Sequence, residues 1–222
     1  MLWDITKISE KQYGNKERIF AYIDGFNLYF GLKSKSWKRY YWLDLQKTVQ
    51  NLLKPNQVLD YTKYFTARIT GPPDKQKRQT TYIEALETLP NFQIFYGKCQ
   101  HIPRTCRQCD FHEDVPIEKM TDVNIAVELL SDAFRDIYDA AYLISADSDL
   151  VPVIATLRSL FPRKRIVVAF PPGRYSRELA NKARFSMTIG RRTIAKSLFP
   201  PEIRKTDGYI LKCPDFWKGH EN

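Results

Sequence analysis

Three short acidic stretches stand beside apolar runs, and they constrain this chain more than any other feature. Residues 22–27 and 145–149 each end an apolar run typical of a buried strand, whereas residues 119–122 open a patterned helix. Such element ends can meet at the rim of a parallel sheet, where open α/β folds build their sites. Convergent carboxylates normally need a cation, and Mg²⁺ or Mn²⁺ prefers oxygen ligands. The pattern predicts a metal-dependent hydrolase that acts on phosphodiesters.

The second stretch lies at the start of the clearest helical pattern in the chain, residues 119–135. Asp122 stands four residues before Ala126 and seven before Leu129, which places it on the apolar face. Capping explains an acid at a helix start but does not require the apolar face, and burying an unpaired carboxylate is costly. We therefore favour a metal or catalytic role for Asp122 over capping alone. For Asp24, at a strand-to-helix junction, a simple N-cap is the alternative.

Strands alternate with helices along the sequence. Strands are predicted at residues 18–23, 58–67, 92–97, 138–145 and 163–170, with a short edge strand at 185–189. This order favours an α/β fold with a mostly parallel sheet of about five strands. The predicted organisation is an N-terminal arm (1–17), a domain (18–198) with an irregular Cys-rich insertion (99–116), and an extension (199–222) that packs back onto the domain.

Positive charge is concentrated in one part of the chain. The net charge is +10, and between Ala155 and Lys205 there are 13 Lys or Arg residues against two acids, so this segment accounts for the excess. A basic surface beside acidic metal-site candidates is what a phosphate backbone favours. We expect nucleic-acid contact; a solvated cationic surface without a partner is the alternative.

The chain lacks the features of an exported or membrane protein. It has no run of about 18 apolar residues, and residues 1–7 lack the apolar centre of a secretory signal. We therefore expect a cytoplasmic protein without membrane contact, in which disulfides are not expected.

The cysteines raise the question of zinc. Cys106 and Cys109 have the C-x2-C spacing that can chelate a tetrahedral ion. Cys99 and His112 complete a candidate structural Zn²⁺ site, with His101 as a rival for the fourth ligand. The outer spacing fits no standard zinc module, so reduced thiols in a surface loop are the main alternative, and redox chemistry is a lesser one.

Two groups of aromatic and basic residues could contact RNA. For Trp37, Tyr40 and Tyr41, in a basic loop, we favour packing over base stacking. Arg174 and Arg177 follow the fifth strand at the same predicted sheet edge as the acids, and are better candidates for phosphate contact. Tyr175 lies between these two arginines in the sequence, and Arg191 and Arg192 would extend the same surface.

Taken in order, the acidic stretches resemble the NYN family of PIN-like ribonuclease domains. The family has D-x-x-N at the first strand end, K-x-x-D at the helix start and S-x-D-S-D after the fourth strand. The chain matches all three, over residues 18 to 190, with Asp24 and Asn27, then Lys119 and Asp122, then Ser145, Asp147, Ser148 and Asp149.

The resemblance implies a three-layer α/β/α fold and a Mg²⁺ or Mn²⁺ site at the carboxyl edge of its sheet. Asp24, Asp122, Asp147 and Asp149 would hold the metal. Asn27 would orient a water or phosphate, Ser145 and Ser148 would support the carboxylates, and Lys119 could contact a phosphate. The implied activity is a metal-dependent endoribonuclease acting on single-stranded or structured RNA.

Two other functions stay open at this stage. One is an RNA-binding module without turnover. The other is an NADH-dependent hydroxylase of a pyridine-type compound, because some family members of similar size are assigned that activity. The chain has no G-x-G-x-x-G after a strand, and the sequence leaves open whether it forms a homodimer.

Overall fold

A computed structural model describes residues 16–105 and 112–218. The strands are β1 (Glu17–Asp24), β2 (Gln57–Thr66), β3 (Phe92–Tyr96), β4 (Lys98–Thr105), β5 (His112–Lys119), β6 (Ala140–Ile144), β7 (Arg165–Phe170), β8 (Phe185–Thr188), β9 (Glu202–Arg204) and β10 (Ile210–Lys212). The helices are α1 (Gly25–Ser34), α2 (Leu45–Gln50), α3 (Pro73–Leu86), α4 (Thr121–Phe134), α5 (Val151–Leu160), α6 (Arg177–Lys182) and α7 (Arg191–Lys196).

The central sheet has six strands in the order β3-β2-β1-β6-β7-β8. Every neighbouring pair is parallel. β1 and β6 lie in the middle; β6 and residues 19–23 of β1 are apolar, as expected for strands covered on both faces. The predicted parallel sheet is confirmed; its sixth strand is the short edge strand β8.

Helices cover both faces of the sheet, which gives three layers. Successive side chains of a strand point to opposite faces, so Ala21 and Ile23 of β1 pack in one core cluster with α1 and α2. Phe20 and Tyr22 pack in the other, with α4 and α5. The three-layer α/β/α fold implied by the resemblance is therefore confirmed.

The carboxyl ends of the central strands bring two of the acidic stretches together. Ile23 of β1 lies opposite Ile144 of β6, so Asp24 and Ser145 leave the sheet side by side. Helix α4 packs against β1 and against a short 3₁₀ turn at Ser148–Leu150. The first turn of α4, which carries Asp122, therefore lies close to this edge.

The region predicted to be an irregular insertion contains regular structure instead. β4 and β5 form an antiparallel hairpin in register from Lys98↔Lys119 to Thr105↔His112, and α4 begins at Thr121, two residues later than predicted. Pro103 and Pro116 obscured the strands in the sequence. A two-stranded ribbon tolerates proline because each strand has an unpaired edge.

The chain after Pro200 packs back onto the domain. β9 and β10 form an antiparallel pair, and Leu211 and Trp217 are buried in the core cluster beside α1 and α2. At the other end β1 begins at Glu17, within the range predicted as an arm. Residues 1–15 of that arm and 219–222 of the extension lie outside the described residues. In the described part of the chain, no helix is both long enough and apolar enough to cross a membrane.

Candidate active site

Asp24 ends β1 and is buried, although it is a carboxylate. Its Oδ1 accepts a hydrogen bond from the Asn27 backbone N–H at 2.9 Å, and its Oδ2 accepts from Asn27 Nδ2 at 2.7 Å. The first bond caps α1, as an N-terminal Asp commonly does. Desolvation raises the pKa of Asp24 above its ordinary value despite these bonds. Capping is thus part of its role and leaves a buried acid at the sheet edge.

Ser145 connects the first acidic stretch to the third. Its hydroxyl donates to Asp24 Oδ2 at 2.8 Å, and its Oγ accepts from the Asp147 backbone N–H at 3.0 Å. Asp147 Oδ1 in turn accepts from the Asp149 backbone N–H at 3.0 Å. Ser145 is fully buried, so this bridge fixes the backbone of Asp147 relative to Asp24.

Asp122, in the first turn of α4, is half-buried beside these residues. Desolvation, followed by the negative charges of Asp147, Asp24, Glu118 and Asp149, raises its pKa to about 7. Like charges disfavour ionisation only when they are close together. Asp24, Asp122, Asp147 and Asp149 therefore form one electrostatically coupled group, which we call the acidic rim.

Glu118 is a neighbour of the rim to which the sequence reasoning gave no role. Its Oε1 accepts from both the backbone N–H and the hydroxyl of Thr121, which satisfies a free donor at the start of α4. Between them Met120 has a left-handed φ of 81°, a conformation that costs about 1–2 kcal/mol for a non-glycine residue. The signal available in the sequence was Glu118 three residues before Thr121, the first residue of α4. This order, acid before hydroxyl, is the opposite of the order in a capping box.

Arg174 brings a positive charge to the same edge. Its Nη1 donates to Asn27 Oδ1 at 3.2 Å, and the Ala146 backbone N–H donates to the same oxygen at 3.4 Å. The guanidinium therefore contacts the amide beside the acidic rim and not the carboxylates. Arg174 is exposed and can reach an anion bound at the rim.

The remaining predicted site residues are exposed. Asp149 and Ser148 are exposed in the turn after β6, and Lys119 is exposed at the end of β5, two residues before α4. Arg177, the first residue of α6, is also exposed. Within the described residues, neither Lys119 nor Arg177 has a side-chain hydrogen bond to the rim.

The donor chemistry of the rim fits a hard divalent cation. Carboxylate oxygens are the ligands that Mg²⁺ and Mn²⁺ prefer, and mutual repulsion at one edge is what a cation would offset. Across residues 16–105 and 112–218, however, no group of three or more His, Cys, Asp or Glu side chains is arranged to hold a metal ion. The rim thus supplies suitable donors in electrostatic contact, without a completed coordination geometry.

The candidate zinc ligands fall largely outside the described residues. Cys106 and Cys109 are not described, and of His112 only the backbone pairing with Thr105 is. Cys99 and His101 lie two residues apart on β4 and both contact the Thr70 hydroxyl, at 3.6 Å from Sγ and 2.6 Å from Nε2. Zinc binding stays a prediction from the sequence.

The aromatic residues after α1 pack into the protein. Tyr40 is buried, and Trp37 and Tyr41 are partly buried against the core cluster beside α1 and α2. The ring of Tyr41 lies 5.9 Å from that of Trp217, edge to face. These residues join the loop after α1 to the C-terminal extension.

Two known proteins resemble this chain in sequence or in fold. A crystal structure of a protein of unknown function from Vibrio parahaemolyticus superposes with a TM-score of 0.53 at 16% identity, covering 85% of this chain and 99% of that one. It shows a shared fold. The 6-hydroxy-3-succinoylpyridine 3-monooxygenase HspA of Pseudomonas putida is 26% identical over 64% of this chain, and the match spans 56% of that protein's length.

A family model gives the broader relationship. The NYN domain model matches residues 18–189, which include all three acidic stretches and the whole six-stranded sheet apart from the first residue of β1. The family suggests a PIN-like nuclease. The match covers most of the chain, and the chain belongs to the NYN domain family.

Proposed function

We propose that this protein is a metal-dependent ribonuclease that hydrolyses phosphodiester bonds at the acidic rim. One observation carries the proposal: Asp24, Asp122 and Asp147, from three distant parts of the sequence, are coupled at the carboxyl edge of one sheet. Open α/β folds use that edge for ligands. A group of acids retained there at a cost in stability is a candidate functional site.

Mg²⁺ or Mn²⁺ is the proposed cofactor, held by Asp24, Asp122, Asp147 and Asp149. Such a cation lowers the pKa of a bound water and offsets the charge that develops on the phosphoryl oxygens. Asn27 is held between Asp24 and Arg174, so its amide can orient a water or a phosphate. Arg174, and by position Lys119 and Arg177, would attract the RNA backbone.

Cleavage of a labelled RNA by purified protein in Mn²⁺ tests the proposal. We expect cleavage that EDTA stops and that Asp147→Asn lowers about a thousandfold, the scale for losing one group that stabilises transition-state charge. The matched control is Asp136→Asn, an exposed aspartate after α4 whose φ of 55° suits asparagine. Intact RNA with native protein in Mn²⁺, or equal losses in both variants, would contradict the proposal.

A pyridine-type hydroxylase is a second candidate, favoured by the similarity to the monooxygenase. The chain spans only about half of that protein's length, and a hydroxylase would need a nicotinamide or flavin. The candidate predicts consumption of NADH that depends on 6-hydroxy-3-succinoylpyridine. An unchanged NADH absorbance in the presence of that compound and flavin would exclude it.

RNA binding without turnover is distinguished by the same variants. A pure binding module would hold RNA equally well in native and Asp147→Asn protein, with no cleavage by either. The cytoplasmic location stays a prediction from the sequence, and homodimer formation stays untested.

A further inference from the structure

An open basic groove lies where the loop after α1 meets the C-terminal turn. It has a volume of about 690 Å³, and it is formed by the loop after α1, the first residue of α7 and the C-terminal turn. Its charged lining consists of Lys38, Arg39, Arg191 and Lys218 with a single acid, Asp215. Arg191 and the C-terminal turn lie outside the part of the chain that matches the family model.

Two arginines converge in this groove on one hydroxyl group. Tyr40 Oη accepts from Arg39 Nη2 at 2.9 Å and from Arg191 Nε at 3.2 Å. Tyr40 is buried, and although desolvation alone would raise its pKa, the two guanidinium groups lower the pKa overall. The Tyr40 hydroxyl therefore holds the guanidinium groups of Arg39 and Arg191 close to each other.

Aromatic rings, more than carboxylates, hold the cations of the groove. Lys38 Nζ lies 3.0 Å from the centroid of the Phe216 ring, and Arg191 lies 5.9 Å from that of Trp37. In the described part of the chain Lys218 pairs with Asp215, whereas neither Arg39 nor Arg191 forms a salt bridge. A cation held by an aromatic ring is not neutralised, whereas one held by a carboxylate is. The groove therefore has a net positive charge and is suited to bind an anion.

A run of aromatic contacts connects the groove to the acidic rim. Arg174, which bonds to Asn27, lies 5.8 Å from the ring of Phe30. The ring of Phe30 lies 5.3 Å from that of Tyr29, which lies 5.2 Å from that of Tyr41. Tyr41 contacts Trp217, a lining residue of the groove.

Two rings along this run are open to solvent. Tyr29 is 42% exposed and Phe30 is 41% exposed, with Lys33 5.7 Å from the Phe30 ring. Exposed rings flanked by cations are the usual platform for unpaired bases, because every base has a π-face. The surface between the rim and the groove therefore suits a single strand better than a duplex.

We propose that the groove is a second RNA subsite, which binds backbone phosphates of a single strand that passes over Tyr29 and Phe30 from the acidic rim. The identification of RNA as the ligand rests on the proposed function. The phosphate recognition rests on the paired guanidinium groups of Arg39 and Arg191. The C-terminal extension completes the subsite by supplying Phe216, Trp217 and Lys218.

The test measures binding without turnover. Native protein in EDTA is titrated into fluorescently labelled single-stranded RNA of about 12 nucleotides, and anisotropy is followed at several salt concentrations. Removing two phosphate contacts with Arg39→Ala/Arg191→Ala should weaken binding about tenfold or more. It should also reduce the slope of log K against log salt by about 1.4.

The matched control removes two charges from elsewhere on the chain. Arg135 and Arg163 are exposed in the connections from α4 to β6 and from α5 to β7, so they lie toward the opposite edge of the sheet. Arg135→Ala/Arg163→Ala should change affinity less than about twofold.

Three results would overturn the subsite. The first is unchanged affinity in the groove variant, and the second is an equal loss of affinity in both double variants. The third is that native protein binds nicotinate, a small aromatic carboxylate, but does not bind RNA.

The outcome of the cleavage assay is independent of these binding results. If the native protein does not cleave RNA but the groove variant alone loses binding, the subsite stands and the hydrolysis falls. If RNA is cleaved and both double variants bind it like native protein, the hydrolysis stands and the subsite falls.

Discussion

Helix α4 carries carboxylates in two settings, and they differ in how their charge is balanced. Near its C-terminal end Asp132 is completely buried, and its Oδ2 accepts from Lys63 Nζ at 2.5 Å and from the Tyr22 hydroxyl at 2.6 Å. Lys63 also contacts Glu128 at 2.6 Å. We call these four residues the buried ion network. It joins α4 to β1 and β2.

Asp122, the one member of the acidic rim on this helix, lies ten residues before Asp132, which is about 15 Å along the helix axis. In the described part of the chain none of the four aspartates of the rim forms a salt bridge. Asp122 is instead surrounded by other acids that raise its pKa. The buried network neutralises charge where it anchors the helix, whereas the rim keeps charge that lowers stability, as sites for ligands commonly do.

The largest expected effect comes from breaking the buried ion network. Lys63→Met should lower the free energy of unfolding by about 3–5 kcal/mol, because Asp132 would be left buried without its cation. Urea denaturation measures the change. Lys63→Met/Asp132→Leu should regain much of the loss, since it removes the completely buried carboxylate together with its cation.

The control for that variant is Lys212→Ala, which breaks the exposed pair with Glu202. It should cost less than about 1 kcal/mol. If Lys63→Met cost no more than Lys212→Ala, the buried network would not be the anchor of α4.

The next largest effect is expected when Mn²⁺ supplies the positive charge that the acidic rim lacks. If the rim binds Mn²⁺, a concentration about a hundredfold above the Kd should raise the free energy of unfolding by about 2.7 kcal/mol. Urea titrations with and without Mn²⁺ measure the gain. It should vanish in Asp147→Asn and persist in Lys63→Met; a gain of the same size in Asp147→Asn would place the ion elsewhere.

Removing a charge from the rim should stabilise the protein in the absence of metal. The folded-state pKa of Asp122 is about 7 against an ordinary value of 3.8, so the folded chain binds the extra proton. Stability must then fall as pH rises from about 4 to about 7. At pH 8 Asp122→Asn should gain about 1–2 kcal/mol, a figure reduced for solvent screening because the side chain is half-exposed.

The same variant should flatten the pH dependence between about 4 and 7. Urea midpoints measured at several pH values in EDTA would show both effects. A loss of stability at pH 8, like that expected for Lys63→Met, would mean that the two settings on α4 do not differ as described.

The smallest effect concerns the bridge within the rim. Ser145→Ala removes the hydroxyl between Asp24 and the Asp147 backbone and should cost about 1 kcal/mol. Thermal unfolding measures it. A matched loss of one hydroxyl, Ser148→Ala in the exposed turn, should have almost no effect; equal effects would argue against the bridge.

Several elements could be predicted because their signals are local. The apolar runs that become β1, β6 and β7 are continuous, so their burial on both faces follows from composition. The β4–β5 hairpin could not be read the same way. Its strands contain prolines and lack clean alternation, and their pairing depends on a register that only contact between the two strands fixes.

The sequence by itself determined the parallel α/β fold and the acids at its carboxyl edge, because hydrophobic periodicity and motif order are local properties of the chain. Tertiary structure decided how those acids interact. Gly97 shows why: a Cβ there would lie 2.5 Å from the Lys119 carbonyl oxygen and 2.7 Å from Glu118 Oε1, so the junction of β3 and β4 closely approaches the end of β5 at a point that no local pattern marks. The coupling of the rim, the bridge at Ser145 and the groove completed by Trp217 likewise depend on contacts between distant segments, and their energies exist only once the chain has folded.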